Sequence, residues 1–178
     1  MHIINTKFSG LKIIQQKKFG DSRGSLRETF RKKIIKWDNL IFDYATISKK
    51  NVLRGFHFNS KFPQVKYVTV LKGKILDYVV DLRKKSKTFG KSFSIVLSED
   101  NCKALYIPEG FGHAYYSFSK LNLVYYKLSD YYEPKFESGI LWSDKNLKLK
   151  WPTNKPILAK RDTKWGTFID FKKVYKGF

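Results

Sequence analysis

Two histidines and a tyrosine have the types and settings for moving protons. His57 lies in Val52-Leu53-Arg54-Gly55-Phe56-His57-Phe58 and His113 in Pro108-Glu109-Gly110-Phe111-Gly112-His113, both strand-like runs, and an isolated Tyr126-Lys127 pair follows. Histidine titrates near neutrality, and a phenol can return a proton to a carbanion that an imidazole has created. If His57 faces a cavity, an acidic partner on one ring nitrogen fixes its tautomer and leaves the other nitrogen as a base. Asp162 is a candidate partner that separation along the chain does not by itself select.

Each of these residues also has a plainer reading. An isolated histidine is most often a satisfied core or turn residue. Tyr126 shares its strand face with Val124 and Leu128, as a core aromatic would, and Tyr125, Tyr131 and Tyr132 compete for any role given to it. Context favours chemistry: Arg54, His57 and Lys66 fall close together, and cationic groups inside an apolar framework are costly unless something anionic compensates. Strict alternation puts Arg54 and His57 on opposite faces, so a bulge or bend is needed for both to reach one site. Metal binding is not expected, because Phe58 and Asn59 follow His57 and the remaining histidine, His2, is terminal, short of three or four ligands. The single cysteine, Cys102, has no adjacent histidine and reads as a structural or surface thiol.

The elements that must position these groups are mainly strands. Alternation marks Val65 to Leu71, Ile75 to Leu82, Phe93 to Leu97, Ala104 to Ile107, His113 to Phe118 and Leu121 to Leu128. Lys72-Gly73-Lys74 suits a hairpin between the first two, with Leu76, Tyr78, Val80 and Leu82 on one apolar face and Asp77 and Asp81 on the other. Upstream, Phe19-Gly20-Asp21-Ser22-Arg23-Gly24 has turn chemistry, Ser25 to Phe30 reads as a strand, and Lys33 to Leu40 as a short helix. Pro152 and Pro156 argue against a central strand near the C-terminus. Regular short strands predict a sandwich or small barrel.

Composition bounds the rest. The 178 residues suit one domain spanning 1–178, and 42% hydrophobic with 17% aromatic content excludes a disordered chain. No apolar run approaches a membrane span, and Met1-His2-Ile3-Ile4-Asn5 lacks a signal pattern, so the expected location is the cytoplasm, with no membrane partner. The net charge of +21 attracts phosphates, but only Arg23, Arg27, Arg31, Arg54, Arg83 and Arg161 are arginines and the lysines are scattered. A solvated lysine surface that a small anionic substrate can exploit is favoured over a nucleic-acid face.

Taken in order, the strings Phe19-Gly20-Asp21-Ser22-Arg23-Gly24, Val52-Leu53-Arg54-Gly55-Phe56-His57-Phe58, Gln64-Val65-Lys66, Val80-Asp81-Leu82-Arg83, Thr88-Phe89-Gly90 and Ile107-Pro108-Glu109-Gly110-Phe111-Gly112-His113 form a pattern. Tyr126-Lys127, Tyr131-Tyr132, Glu137, Ile140-Leu141-Trp142-Ser143-Asp144 and Trp151-Pro152 continue it. The chain resembles the dTDP-4-dehydrorhamnose 3,5-epimerase family from about Phe19 to Asp162. That resemblance implies a cupin or jelly-roll β-sandwich barrel with a few short helices, and a cofactor-independent epimerase acting on a nucleotide-linked 4-keto-6-deoxy sugar. It implies His57 as the base, oriented by Asp162, Tyr126 as the opposite-face acid, and Lys66 beside the C4 oxygen. Arg54 and His113 match positions near the diphosphate, and Glu137 and Arg161 match further substrate contacts, with Arg161 where the family commonly has lysine. Arg23 and Glu28 match residues contributed across a homodimer with exchanged N-terminal strands, the segment 1–45 being at the interface.

Two departures bear on the substrate. Phe42-Asp43-Tyr44 stands where the family's thymidine-nucleotide enzymes typically carry Gln-Asp-Asn, and Ser25-Leu26 replaces an aromatic pair. Losing both amides should change which base is held, so the expected substrate is a GDP-linked heptose or hexose of capsule or lipopolysaccharide synthesis. Whether C3, C5 or both are inverted is not set by these residues. Two other functions compete: a 4-keto-sugar isomerase of the same fold, and a non-catalytic sugar-nucleotide-binding cupin.

Overall fold

The computed structural model describes residues 1–36, 39–175 and 178. Its strands are β1 (His2–Asn5), β2 (Lys12–Gln15), β3 (Lys17–Asp21), β4 (Gly24–Glu28), β5 (Phe42–Lys49), β6 (Leu53–Asn59), β7 (Lys66–Lys72), β8 (Lys74–Asp81), β9 (Ser92–Ser98), β10 (Lys103–Ile107), β11 (Phe111–Ser117), β12 (Leu121–Leu128) and β13 (Glu137–Gly139). Helix α1 (Phe168–Val174) follows. One sheet runs β1-β2-β10-β7-β12-β5 and faces a second, β13-β6-β11-β8-β9, while β3 and β4 pair apart from both. This is a mainly β, cupin-type sandwich, and among the described residues its strands pair antiparallel, with one isolated parallel bridge between Val52 and Ile157.

Alternation builds the core. Val68, Val124 and Tyr126 point inward from the first sheet to meet Ile75, Val79 and Tyr115 from the second. The second sheet's outer face, including Phe58, Tyr78 and Val80, is covered by Leu147, Phe168 and Phe171 of the C-terminal segment. Ile35 packs with Ile14, Tyr67 and Ala104 on the outer face of the first sheet. Both faces of β8 are therefore buried, and Asp77 points into the sandwich at 0% exposure instead of standing on a polar face.

The expected hairpin at Lys72-Gly73-Lys74 is not one. β7 and β8 belong to different sheets, and the chain turns the corner of the sandwich at Gly73. Gly73 has φ +84°, and a Cβ there would lie 2.3 Å from the Leu121 carbonyl oxygen, so only glycine fits. No helix forms in the described part of Lys33–Leu40; a turn closed by Ile35 N–H to the Arg31 carbonyl brings Ile35 into the core, and Trp37 and Asp38 lie outside the described residues. Asp162 sits in a 3-10 turn, Lys160–Thr163. Among the described residues no helix is long and apolar enough to cross a membrane.

Candidate active site

A cavity of about 440 Å³ opens between the two sheets, lined among others by Arg54, His57, Lys66, His113, Tyr126 and Glu137. Arg161 and Asp162 complete its rim, so eight of the ten residues singled out in the sequence meet in one place. Arg23 and Glu28 do not reach it. Arg23 lies at the β3–β4 turn, paired with Asp21, and Glu28 pairs with Arg31.

β6 carries the irregularity that alternation demanded. His57 pairs with His113 and Arg54 with Tyr115, so β6 spends three steps where β11 spends two. This bulge turns both Arg54 and His57 toward the cavity. Gly55 occupies it with φ +118°, and a Cβ there would meet the His113 carbonyl oxygen at 2.5 Å and Ala114 Cα at 2.6 Å.

His57 Nε2 lies 2.7 Å from Asp162 Oδ1, and Asp162 also accepts from Gly55 N–H and Trp165 Nε1–H. Burial works to raise the Asp162 pKa, but the His57 hydrogen bond and charge, with those two donors, outweigh it and hold the carboxyl below its ordinary value. An ionised Asp162 accepts a hydrogen bond from Nε2–H and so leaves the lone pair on Nδ1, which lies 3.7 Å from Glu137 Oε1. Glu137 is held by Arg161 and by the Tyr132 hydroxyl. Trp165 stands edge-on to the imidazole, and a Cβ at Gly139 would collide with it at 2.6 Å.

Across the cavity, Tyr126 projects from β12 of the first sheet, placing the phenol on the wall opposite the imidazole. Burial, with Tyr115, Tyr44 and Asp77 nearby, pushes its pKa well up, so the phenol keeps its proton. Lys127, its neighbour in sequence, points to the other face and pairs with Asp43 at 2.7 Å, outside the cavity. Lys66 enters from the start of β7. Burial drives its pKa down to about 8 against the opposing charges of Glu137 and Asp77.

Several supporting residues were not singled out in the sequence. Asp77 Oδ2 is 2.8 Å from His113 Nε2, making a second His–Asp pair in which Asp77 is wholly buried. Burial raises the Asp77 pKa, with His113 and Lys66 acting against the rise, and its Oδ1 has no hydrogen-bond partner among the described residues. A carboxylate alternating with Ile75 and Val79 was the available signal. Arg54 donates from Nε to Ser48 Oγ at 3.0 Å, and Ser48 and Thr46 both hydrogen-bond the Tyr115 hydroxyl. No group of three or more His, Cys, Asp or Glu among the described residues could hold a metal ion.

With one imidazole oriented by a carboxylate, a protonated phenol opposite, and the cationic Arg54 and Lys66 lining the same cavity, the site is equipped to remove a proton from carbon and return one from the other side. The family model described as dTDP-4-dehydrorhamnose 3,5-epimerase matches residues 5–170. A dTDP-4-dehydrorhamnose 3,5-epimerase of Shigella flexneri is 36% identical over 176 residues, 96% of this chain and 97% of that one. The structure of dTDP-6-deoxy-D-glucose-3,5-epimerase from Legionella pneumophila, in complex with dTDP-4-keto-L-rhamnose, superposes with TM-score 0.89 at 36% identity, covering 94% of this chain and 93% of that one. A 4-keto-6-deoxy sugar epimerase of Streptomyces spheroides superposes with TM-score 0.93 at 28% identity, over 97% and 90% of the two chains. The Shigella and Legionella relatives are named for dTDP sugars, and the expected GDP carrier finds no support among them. Tyr44, on which that expectation partly rested, stacks on Tyr126 beside the proton-transfer groups.

Proposed function

The chain belongs to the dTDP-4-dehydrorhamnose 3,5-epimerase family, and on that premise we propose that it inverts C3, C5 or both of a dTDP-linked 4-keto-6-deoxy sugar. One observation carries the reading: the His57–Asp162 pair and the Tyr126 phenol stand on opposite walls of a single cavity. The C4 ketone acidifies the hydrogens on C3 and C5. His57 Nδ1 takes one of them, and the electron pair of the broken C–H bond moves into an enolate. Lys66 donates to the enolate oxygen where negative charge develops, and Tyr126 delivers a proton to the opposite face. One proton leaves carbon and one returns, so no redox partner enters the balance.

Arg54 and His113 serve the diphosphate in this reading, and Glu137 with Arg161 closes the rim over the sugar. Arg23 and Glu28 act in the site of a second copy of the chain, carried there by the β3–β4 ladder. Phe19 and Leu26 on that ladder are 58% and 66% exposed, which suits burial against a partner.

Incubation with dTDP-4-keto-6-deoxyglucose in heavy water tests the function. Deuterium should enter C3, C5 or both with inversion, as read by NMR of the product, and the GDP-linked analogue should react more slowly. Absence of exchange with either sugar would refute catalysis and leave a binding protein; a product carbonyl at C3 would make it an isomerase.

A further inference from the structure

Tyr44 and Tyr126 are directly opposite each other on β5 and β12, and their rings stack with centroids 4.7 Å apart and planes 19° from parallel. On its other side Tyr126 pairs with Val68 of β7, and His113 stands edge-on to it at 6.0 Å and 74°. The Tyr126 hydroxyl borders the cavity, and no hydrogen bond from a described residue reaches it. Hydrogen bonds therefore do not aim this phenol, and ring packing does. Val68 and His113 belong to inner strands held on both edges, whereas β5 is the last strand of its sheet. The face of Tyr44 is thus the adjustable part of the cradle. Phe42 and Tyr131 extend it outward, with Phe42 5.8 Å from Tyr44 and from Tyr131.

Resting on the epimerase reading above, we propose that Tyr44 is a positioning residue: its stacked ring sets the direction of the Tyr126 hydroxyl and so the ratio in which C3 and C5 receive their new proton. Each inversion moves one proton to His57 and one from Tyr126, with solvent resetting both groups. C3 and C5 flank the ketone on opposite sides, so a modest swing of the phenol favours one over the other. Tyr44 touches neither reacting carbon in this scheme. It acts only through the orientation of Tyr126.

The test follows inverted, deuterated product at C3 and at C5 in heavy water for the wild type and for Tyr44→Phe, Tyr44→Leu and Tyr44→Asn. Tyr44→Phe keeps the flat ring and should keep the wild-type ratio. Tyr44→Leu and Tyr44→Asn should change that ratio by roughly two- to tenfold, the bias an aromatic pair can exert on orientation, with kcat moving more than KM. If the wild type inverts only one carbon, label should leak to the other in these two variants. Should Tyr44→Leu fail to fold, Tyr44→Asn carries the comparison, since a polar residue suits an edge strand. An unchanged ratio in the folded Leu or Asn variant would overturn the inference, as would a Phe variant that shifts like Leu. A wild type without exchange at either carbon would instead refute the epimerase reading.

Discussion

His57 is bracketed by two carboxylates, Asp162 at 2.7 Å from Nε2 and Glu137 at 3.7 Å from Nδ1, but only Asp162 is within hydrogen-bond reach. The two acids therefore have different consequences when removed. His57→Asn should lower deuterium exchange by about 10³-fold or more, with the melting temperature little changed. Asp162→Asn should also be strongly impaired, because an amide can offer Nε2 a donor and reverse the tautomer. Glu137→Gln should mainly raise KM. Steady-state kinetics on the three variants read the difference, and equal losses of kcat in all three would refute the assignment of Nδ1 as the base.

Lys66 predicts an alkaline limit. Burial holds its pKa near 8, so the free enzyme loses the ammonium as pH rises through that value, and kcat/KM should fall above it. Lys66→Arg, which stays charged, should move the limb to higher pH, whereas Lys66→Met should abolish it and lower kcat by about 10²-fold. Stability shows the opposite trend. Between about 8 and the ordinary lysine value of 10.5, the unfolded chain keeps a proton that folded Lys66 has shed, so this group's contribution to stability rises with pH. Urea titrations across that window should lose this component in Lys66→Met.

Gly55 links the backbone to the site. Its φ of +118° and the contact at 2.5 Å that a Cβ would make with His113 leave alanine no relaxed position. Gly55→Ala should lower stability by more than about 1 kcal/mol. It should also disturb Arg54 and His57 together, because the bulge aims both. Thermal melts and the kinetics of diphosphate-containing inhibitors check the two halves; a variant that keeps its melting point but loses inhibitor affinity would show that the bulge serves the site alone.

Much of this arrangement was readable from residue types. Period-two alternation located β7 to β12, since a strand with one inward face needs it, and the spacing of Arg54 and His57 called for a bulge or bend, of which β6 contains a bulge. What alternation does not encode is which sheet a strand joins. The glycine turn at Gly73 reads the same whether it closes a hairpin or turns a corner. Nor does it reveal burial on both faces, so Asp77 read as a polar-face residue although it supports His113 from inside the sandwich. The cupin architecture and the partnership of His57 with Asp162 came through family resemblance, because 105 residues separate the two along the chain.

Subunit mixing tests the exchanged-strand proposal. Each site would take His57 from one copy and Arg23 from the other, so His57→Asn and Arg23→Ala homodimers should both be impaired. In a mixed dimer one site inherits both lesions and the other neither. Separately purified variants, mixed and allowed to exchange, should therefore regain turnover, up to about half the wild-type rate per mixed dimer. Glu28→Ala should behave like Arg23→Ala in the same assay if both reach the neighbouring cavity. Recovery should also depend on total concentration, as association does. Activity that stays at the average of the two parent variants, in a sample shown by tagged-subunit capture to contain mixed dimers, would mean that Arg23 and His57 serve the same copy's site.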